Sequence, residues 1–351
     1  MKKIFALLLA LVLMSACAVA ETVNQKDEAV LNIFSWEGYI DYQTVIQPFE
    51  QETGIKVNYA TFGSNEEMYE KLSAVNGGDY DIVLASDYIL NATREAGLMQ
   101  KLDMSIVTNF SNLNPGFTHQ YFDPDSEYVM PYVCGIPLIV YNPENVDVEI
   151  NGFNDLWNPA LADSVGLIDD ARVTIGMVLL SMGQSMNTTD EAVLAEAAEK
   201  LAALKANIHV LEYENLHNYL VSGDIDVAYT FTPFVALALM ENPDLKVVWP
   251  QEGLGFGIDG CFIPVNAPHA KNANLFLEFL LRPEIAAVCA EWQCYCSPNE
   301  AAQAVLSEDY KQNPVFSGIY DRISDAEYVK NLSSEDEQKF QDIWTTFKLS
   351  L

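Results

Sequence analysis

The stretch Asn32-Ile-Phe-Ser-Trp36-Glu-Gly-Tyr39-Ile-Asp41 constrains the fold more than any other. Leu31 to Phe34 reads as a strand, and a Trp-Glu-Gly-Tyr turn follows it. Asp41 to Glu52 then has the pattern of a helix, stopped by Gly54 as its cap. Ile55 to Phe62 alternates as the next strand. A strand that turns into a helix is the building unit of an open α/β sheet, whose ligands sit beyond the carboxyl ends of the strands. Trp36 and Tyr39 put two flat faces at such an end, and Glu37 and Asp41 add two anions. That combination suits an organic cation.

The order repeats downstream. Ser64-Asn-Glu-Glu67 is a capping box, opening a helix with Met68, Leu72 and Val75 on one face. Gly77-Gly-Asp79 breaks it, and Tyr80 to Ala85 reads as a buried strand. Ser86-Asp87-Tyr88 is expected as a loop at that strand's end, with a helix from Asn91 to Ala96. From Asn142 a second set begins. Its expected strands are Val165–Ile168, Ile208–Leu211, Ile225–Phe231 and Leu245–Trp249, separated by helices at Val173–Met182, Glu191–Ala206 and Asn215–Ser222. The proline-interrupted run Met130–Tyr141 and the strand Ile258–Pro264 are expected to cross between two halves. The fold class is α/β with two lobes and a cleft between them. One lobe takes residues 29–135 with about 258–305, and the other 136–257 with 306–351.

Charge narrows the partners. Against 18 basic residues the chain has 50 acidic ones, a net −32. Such a field repels nucleic acid and anionic lipid and attracts small cations. Residues 1–20 read as a signal peptide: Lys2-Lys3 is basic, and Ile4 to Met14 is apolar but too short to span a bilayer. Two processing routes are open. Ala18-Val-Ala20 fits cleavage before Glu21, whereas Met14-Ser-Ala-Cys17 fits a lipobox that would leave Cys17 acylated. The polar segment Glu21–Glu28 favours the second route, as a tether.

Several signals for chemistry fail on context. Gly255-Phe-Gly257-Ile-Asp-Gly260 spells GxGxxG, but strand-like Cys261-Phe-Ile-Pro264 follows where a dinucleotide site needs a helix. Asp123-Pro-Asp125-Ser-Glu127 alternates acids but lacks the glycine and distal glutamate of a calcium loop, so a solvated turn is expected. His119, His209, His217 and His269 are scattered and expected at the surface or in loops. Cys134, Cys261, Cys289, Cys294 and Cys296 have no zinc spacing, and export would allow disulfides. No nucleophile-and-base arrangement stands out. No catalytic residue, cofactor or metal is therefore expected.

Longer matches carry a resemblance. They are Trp36-Glu-Gly-Tyr39, Phe49-Glu-Gln-Glu-Thr-Gly-Ile-Lys-Val57, Ser64-Asn-Glu-Glu-Met-Tyr-Glu-Lys-Leu72, Tyr80-Asp-Ile-Val83, Met130-Pro-Tyr132, Asp169-Asp-Ala-Arg172, Val248-Trp-Pro-Gln-Glu-Gly253 and Leu280-Leu-Arg-Pro283. Over roughly Leu31 to Asn299 the chain resembles the periplasmic spermidine/putrescine-binding proteins of polyamine ABC importers. The resemblance implies a two-lobed binding-protein fold of the type II kind, with no enzymatic chemistry. It implies capture of a polyamine and delivery to a membrane permease, by a monomer that is periplasmic or held at the outer face of the membrane through Cys17. The alternatives are another small organic cation or, in a different class, a secreted protein outside transport. Carried over position by position, the implied pocket is Trp36, Glu37, Tyr39, Ser86, Asp87, Tyr88, Asp170, Asp259 and Tyr295. Phe231 stands where the family has a tryptophan, Val173 where it has a second carboxylate, and Gly257 where it has a stacking aromatic. Glu214 edges the same cleft and is a candidate replacement anion.

Overall fold

A computed structural model describes residues 29–316, 322 and 326–351. The expected signal peptide and the lipobox at Cys17 lie outside the described residues. The chain starts with β1 (Val30–Ser35), a short π turn at Tyr42–Ile46 and α1 (Gln47–Thr53). Gly54 closes that helix at φ 75°, the left-handed cap that glycine adopts most readily. Next come β2 (Lys56–Thr61), α2 (Asn65–Ala74), β3 (Ile82–Ser86), α3 (Asp87–Glu95) and the short β4 (Met99–Gln100). Ser64 caps α2 by accepting the Glu67 N–H at 3.1 Å. Glu67 reaches back to the N–H of Gly63 at 2.8 Å, one residue before the position a capping box uses.

β5 (Val129–Gly135) and β6 (Pro137–Tyr141) are separated by Ile136 alone, yet belong to different sheets. The second half holds β7 (Val165–Leu167), α4 (Ala171–Ser181), α5 (Glu191–Ala203), β8 (Ile208–Leu211), α6 (Leu216–Ser222), β9 (Val227–Phe231), α7 (Thr232–Glu241) and β10 (Lys246–Val248). The long β11 (Leu254–Pro264) returns to the first sheet, followed by α8 (Ala270–Leu280), α9 (Pro283–Gln293), α10 (Glu308–Gln312), β12 (Ala326–Tyr328) and α11 (Ser334–Lys348).

The first sheet runs β12-β11-β3-β1-β2, with β4 and β5 also paired to β11; the second runs β10-β6-β9-β7-β8. β1 pairs in parallel with β2 and β3, so the carboxyl ends of β1 and β3 lie on one edge. Ser86 faces Asp259 across the antiparallel β3–β11 ladder. Where β11 meets β5, its register shifts between Asp259 and Gly260, a bulge of the kind that re-aims side chains beside binding sites.

Two expectations change, for the helix after β3 and for Asp123. The helix after β3 starts at Asp87 rather than Asn91, because Ser86 is already extended and the Asp87 carboxylate accepts the Tyr88 N–H at 2.7 Å. β12, in the segment 306–351 expected with residues 136–257, pairs its backbone with Leu254–Phe256 at the start of β11. Glu327 on that strand also holds the segment after α4. It accepts from Met186 N and Asn187 Nδ2, both at 2.9 Å, on the second lobe. Asp123 is buried and closes its turn by accepting the N–H groups of Tyr128 at 2.8 Å and Val129 at 2.9 Å. His269 lies in the turn before α8, as a loop histidine was expected to, and is half-buried against the fully buried Asp81.

That last contact is a structural anchor. Asp81 accepts from Asn32 N at 2.7 Å, His269 N at 2.6 Å and His269 Nδ1 at 2.9 Å, tying β1 and α8 to the entry of β3. Asp81→Asn keeps the shape but turns one acceptor into a donor. It is expected to destabilise the fold by about 2 kcal/mol, lowering the midpoint of thermal unfolding by a few degrees. An unchanged midpoint in scanning calorimetry would show the anchor is dispensable.

Candidate ligand site

The two lobes present their functional side chains at strand ends and at the first turns of helices. Trp36 leaves the end of β1, packs edge-on against Phe62 at 4.5 Å, and accepts the Tyr59 hydroxyl on its carbonyl at 2.8 Å. Tyr39 follows in the same turn. Its hydroxyl donates to Asp259 Oδ2, joining the first strand-end turn to β11. Its ring lies 6.3 Å from Tyr295 and 6.2 Å from Tyr132. Tyr295 lies over Gly135: a Cβ there would come within 2.6 Å of its ring. Glycine at the change of sheet is thus what lets the tyrosine lie close to the backbone.

Three carboxylates gather around these rings. Burial raises Asp259 above its ordinary range, and hydrogen bonds from Tyr39 and Ser86 oppose that only in part. Asp87 is 3% exposed and is held well above the usual carboxylate range, first by burial and then by the Asp259 charge. Asp170 caps α4 by accepting the Val173 N–H at 2.9 Å, and burial raises it as well. Among the described residues no lysine or arginine forms an ion pair with any of the three. Arg172 is committed to Glu337 at 2.9 Å and to Asn187 at 3.0 Å. Desolvated carboxylates without a cationic partner are costly.

The lobes face one another across these acids. Tyr88, on the first lobe, has its hydroxyl pKa raised by burial and also by Asp170 of the second. Tyr213, on the second lobe, is pushed up to about 12 by desolvation, then by Asp170 and Asp259. Tyr213 keeps 45% of its surface exposed, so it is a wall open to solvent. Its ring stands 5.8 Å from Phe231, the last residue of β9.

The expected residues divide. Tyr39, Ser86, Asp87, Asp259 and Tyr295 are linked by contacts or charge, Tyr88 and Tyr213 feel Asp170, and Phe231 stands beside Tyr213; Trp36 packs on Phe62 and forms no hydrogen bond with an acid among the described residues. Glu37 is exposed at its turn, and no hydrogen bond or ion pair ties it to the group. Glu214 is exposed on the rim next to Tyr213, which feels its charge. Tyr213, between the two acids of Glu212-Tyr-Glu214, is not among the expected residues. Tyr121 and Tyr328 were missed too. Both hydroxyls are raised, chiefly by burial, and both feel Asp87. The Gly255–Gly260 glycines lie inside β11, with no helix after them. A Cβ at Gly260 would sit 2.5 Å from Val129 Cγ1, which gives that glycine a packing reason. No group of three or more His, Cys, Asp or Glu among the described residues could hold a metal.

Residues 44–317 match the family model described as bacterial extracellular solute-binding protein. The chain belongs to that family. It is 36% identical over 301 residues to the spermidine/putrescine-binding periplasmic protein of Salmonella typhimurium, covering 85% of this chain and 86% of that one. To the putrescine-binding periplasmic protein PotF of Escherichia coli it is 31% identical, with 86% of each chain covered. Among solved structures it is similar to the spermidine/putrescine ABC transporter substrate-binding protein PotD of Streptococcus pneumoniae, with a TM-score of 0.83 and 33% identity over 91% of this chain and 98% of that one. That structure was obtained in complex with calcium and HEPES. As a solute-binding protein, this chain has a two-lobed α/β fold. Among the described residues no helix is long and apolar enough to cross a membrane.

Proposed function

We propose that this chain captures a polyamine, putrescine or spermidine, in the cleft between its lobes and delivers it to a membrane ABC permease. The observation that carries the reading is a set of desolvated carboxylates, Asp87, Asp170 and Asp259, that form no ion pair with lysine or arginine among the described residues, with Tyr39, Tyr88, Tyr213, Phe231 and Tyr295 among their neighbours. A polyamine matches it part for part. Its ammonium groups supply the missing positive charge, and its methylenes lie along aromatic faces. The names of the relatives support the same ligand class. The lobes are proposed to divide at Ile136 and again at about residue 257, within β11. The protein is proposed to act outside the cytoplasmic membrane, as a monomer tethered through Cys17.

Isothermal titration with putrescine, cadaverine, spermidine, spermine and several amino acids tests this. At least one polyamine is expected to bind at about 1 μM or tighter, near −8 kcal/mol. No polyamine binding tighter than about 1 mM would overturn the ligand assignment.

Gly257 offers a sharper check. A Cβ there meets only the Gly135 carbonyl oxygen, at 4.0 Å, so the position has room. It lies two residues from Asp259 on β11. Gly257→Phe is expected to tighten putrescine binding by roughly 3- to 10-fold, the worth of one added cation–π face. Weaker binding would show that the space is used by the ligand itself.

A further inference from the structure

Among the described residues, two thiols stand face to face. Cys134, in β5, and Cys296, in the segment after α9, form an isolated antiparallel bridge. Each donates its backbone N–H to the other's carbonyl at 3.0 Å. A pair that exchanges both hydrogen bonds has Cα atoms about 5.5 Å apart, inside the range of about 4.4–6.8 Å that a disulfide spans. The Cys134 thiol already points across the bridge, donating to the Cys296 carbonyl at 3.4 Å. Both residues are 1% exposed. Apart from its burial, the next strongest influence on the Cys134 thiol is its hydrogen bond with Cys296. Cys294, the near neighbour, turns away and donates to Glu291 O at 3.7 Å.

We propose that Cys134 and Cys296 close into a cross-strand disulfide when the chain folds in an oxidising compartment, pinning the segment that carries Tyr295 to the strand that enters the change of sheet. All five described cysteines are thiols as the structure stands. An extracellular family supplies the compartment. The reaction is ordinary thiol–disulfide exchange. One cysteine thiolate attacks the disulfide of a dithiol oxidase, or of oxidised glutathione, and releases one thiolate. The other then attacks the mixed disulfide and releases the second. The chain loses two protons and two electrons, and the oxidant takes both electrons. Closure must precede burial, so it belongs to folding. The loop closed is long, roughly 160 residues, which in the chain-entropy model favours a large gain. The pinned segment matters because Tyr295 lies on Gly135, one residue beyond Cys134. Its importance to the cleft rests on the proposed function; the disulfide itself does not.

The test is oxidative refolding of the full mature chain in a glutathione buffer, then alkylation of free thiols and peptide mapping without reduction. A single linked peptide pair carrying Cys134 and Cys296 is expected, with two fewer alkylated thiols per chain. Recovery of both as alkylated thiols, or of either linked to another cysteine, overturns the proposal. Reduction should lower the unfolding midpoint by on the order of 5 °C in the wild type and not in Cys134→Ser. Amide exchange of residues 294–298 should speed up on reduction. Exchange that does not change would refute the pinning, whatever the mapping shows. The mapping needs no ligand, so a failed polyamine titration and a failed disulfide remain separate results.

Discussion

Asp259→Asn is expected to weaken putrescine binding by about 100-fold or more, the loss typical of removing one member of a buried charge pair. Asn keeps the size of the side chain and can still accept the Tyr39 hydroxyl, so the turn and β11 stay joined. What it loses is the charge. In the wild type the ammonium group meets a desolvated carboxylate, where Coulomb attraction is far stronger than in water. In the variant it must shed water for a neutral amide. Stability should move the other way, since the free protein no longer holds that anion in a dry place. Titration calorimetry and thermal unfolding on the same sample separate the two effects. Binding within about threefold of wild type would remove Asp259 from the site, whereas a lowered unfolding midpoint would point to a structural role instead.

Trp36 and Tyr39 are legible from local pattern, and Tyr213 is not, for a physical reason. Trp36, Tyr39 and Tyr88 follow strands whose periodicity and glycine stops are local, so their place at the cleft edge could be inferred. The register of β1 with β2 and β3 then matches what such strand–helix units dictate. Asp259 and Tyr295 entered only through the resemblance, because the contacts that make them a site span the chain. Tyr39 and Asp259 are joined by a hydrogen bond between residues 220 positions apart. Tyr213 sits in a loop whose aim is set by the packing of β8 and α6, and no local pattern reports that aim.

The errors have the same origin. A helix from Asn91 was expected because Ser86-Asp-Tyr88 looks like a loop, yet the aspartate is both a first-turn acceptor and a buried acid beside β11. Asp123 looked solvated because three acids in five residues usually are. One of them is turned inward to satisfy backbone N–H groups of the turn.

Asp87 supplies the second large effect, and it is one of pH. The carboxyl feels the Asp259 charge and is felt by the hydroxyls of Tyr121 and Tyr328, and among the described residues its donors are the backbone N–H groups of Tyr88 and Ile258. Burial and the Asp259 charge raise its folded pKa above the unfolded value. The native state therefore holds protons that the unfolded chain has released, and stability falls as pH rises from the ordinary carboxylate range through the raised folded values. Asp87→Asn is expected to leave the unfolding midpoint of the free protein near wild type at the acid end of that window. The variant should then become the more stable of the two as pH increases, because an ion buried without a partner carries a penalty of several kcal/mol. Binding should show the reverse trend. A polyamine favours the ionised carboxyls, so the wild type releases protons on binding and its affinity rises with pH across the window. The variant has lost one of the two titrating neighbours, and both its affinity at the alkaline end and its pH dependence should be reduced. Melting curves and titrations across the window, run in two buffers of different ionisation enthalpy, read the stability and the proton release directly. Parallel pH profiles for wild type and variant, with no proton release in either, would mean that the Asp87 carboxyl titrates alike in the folded, unfolded and bound states and contributes only its shape.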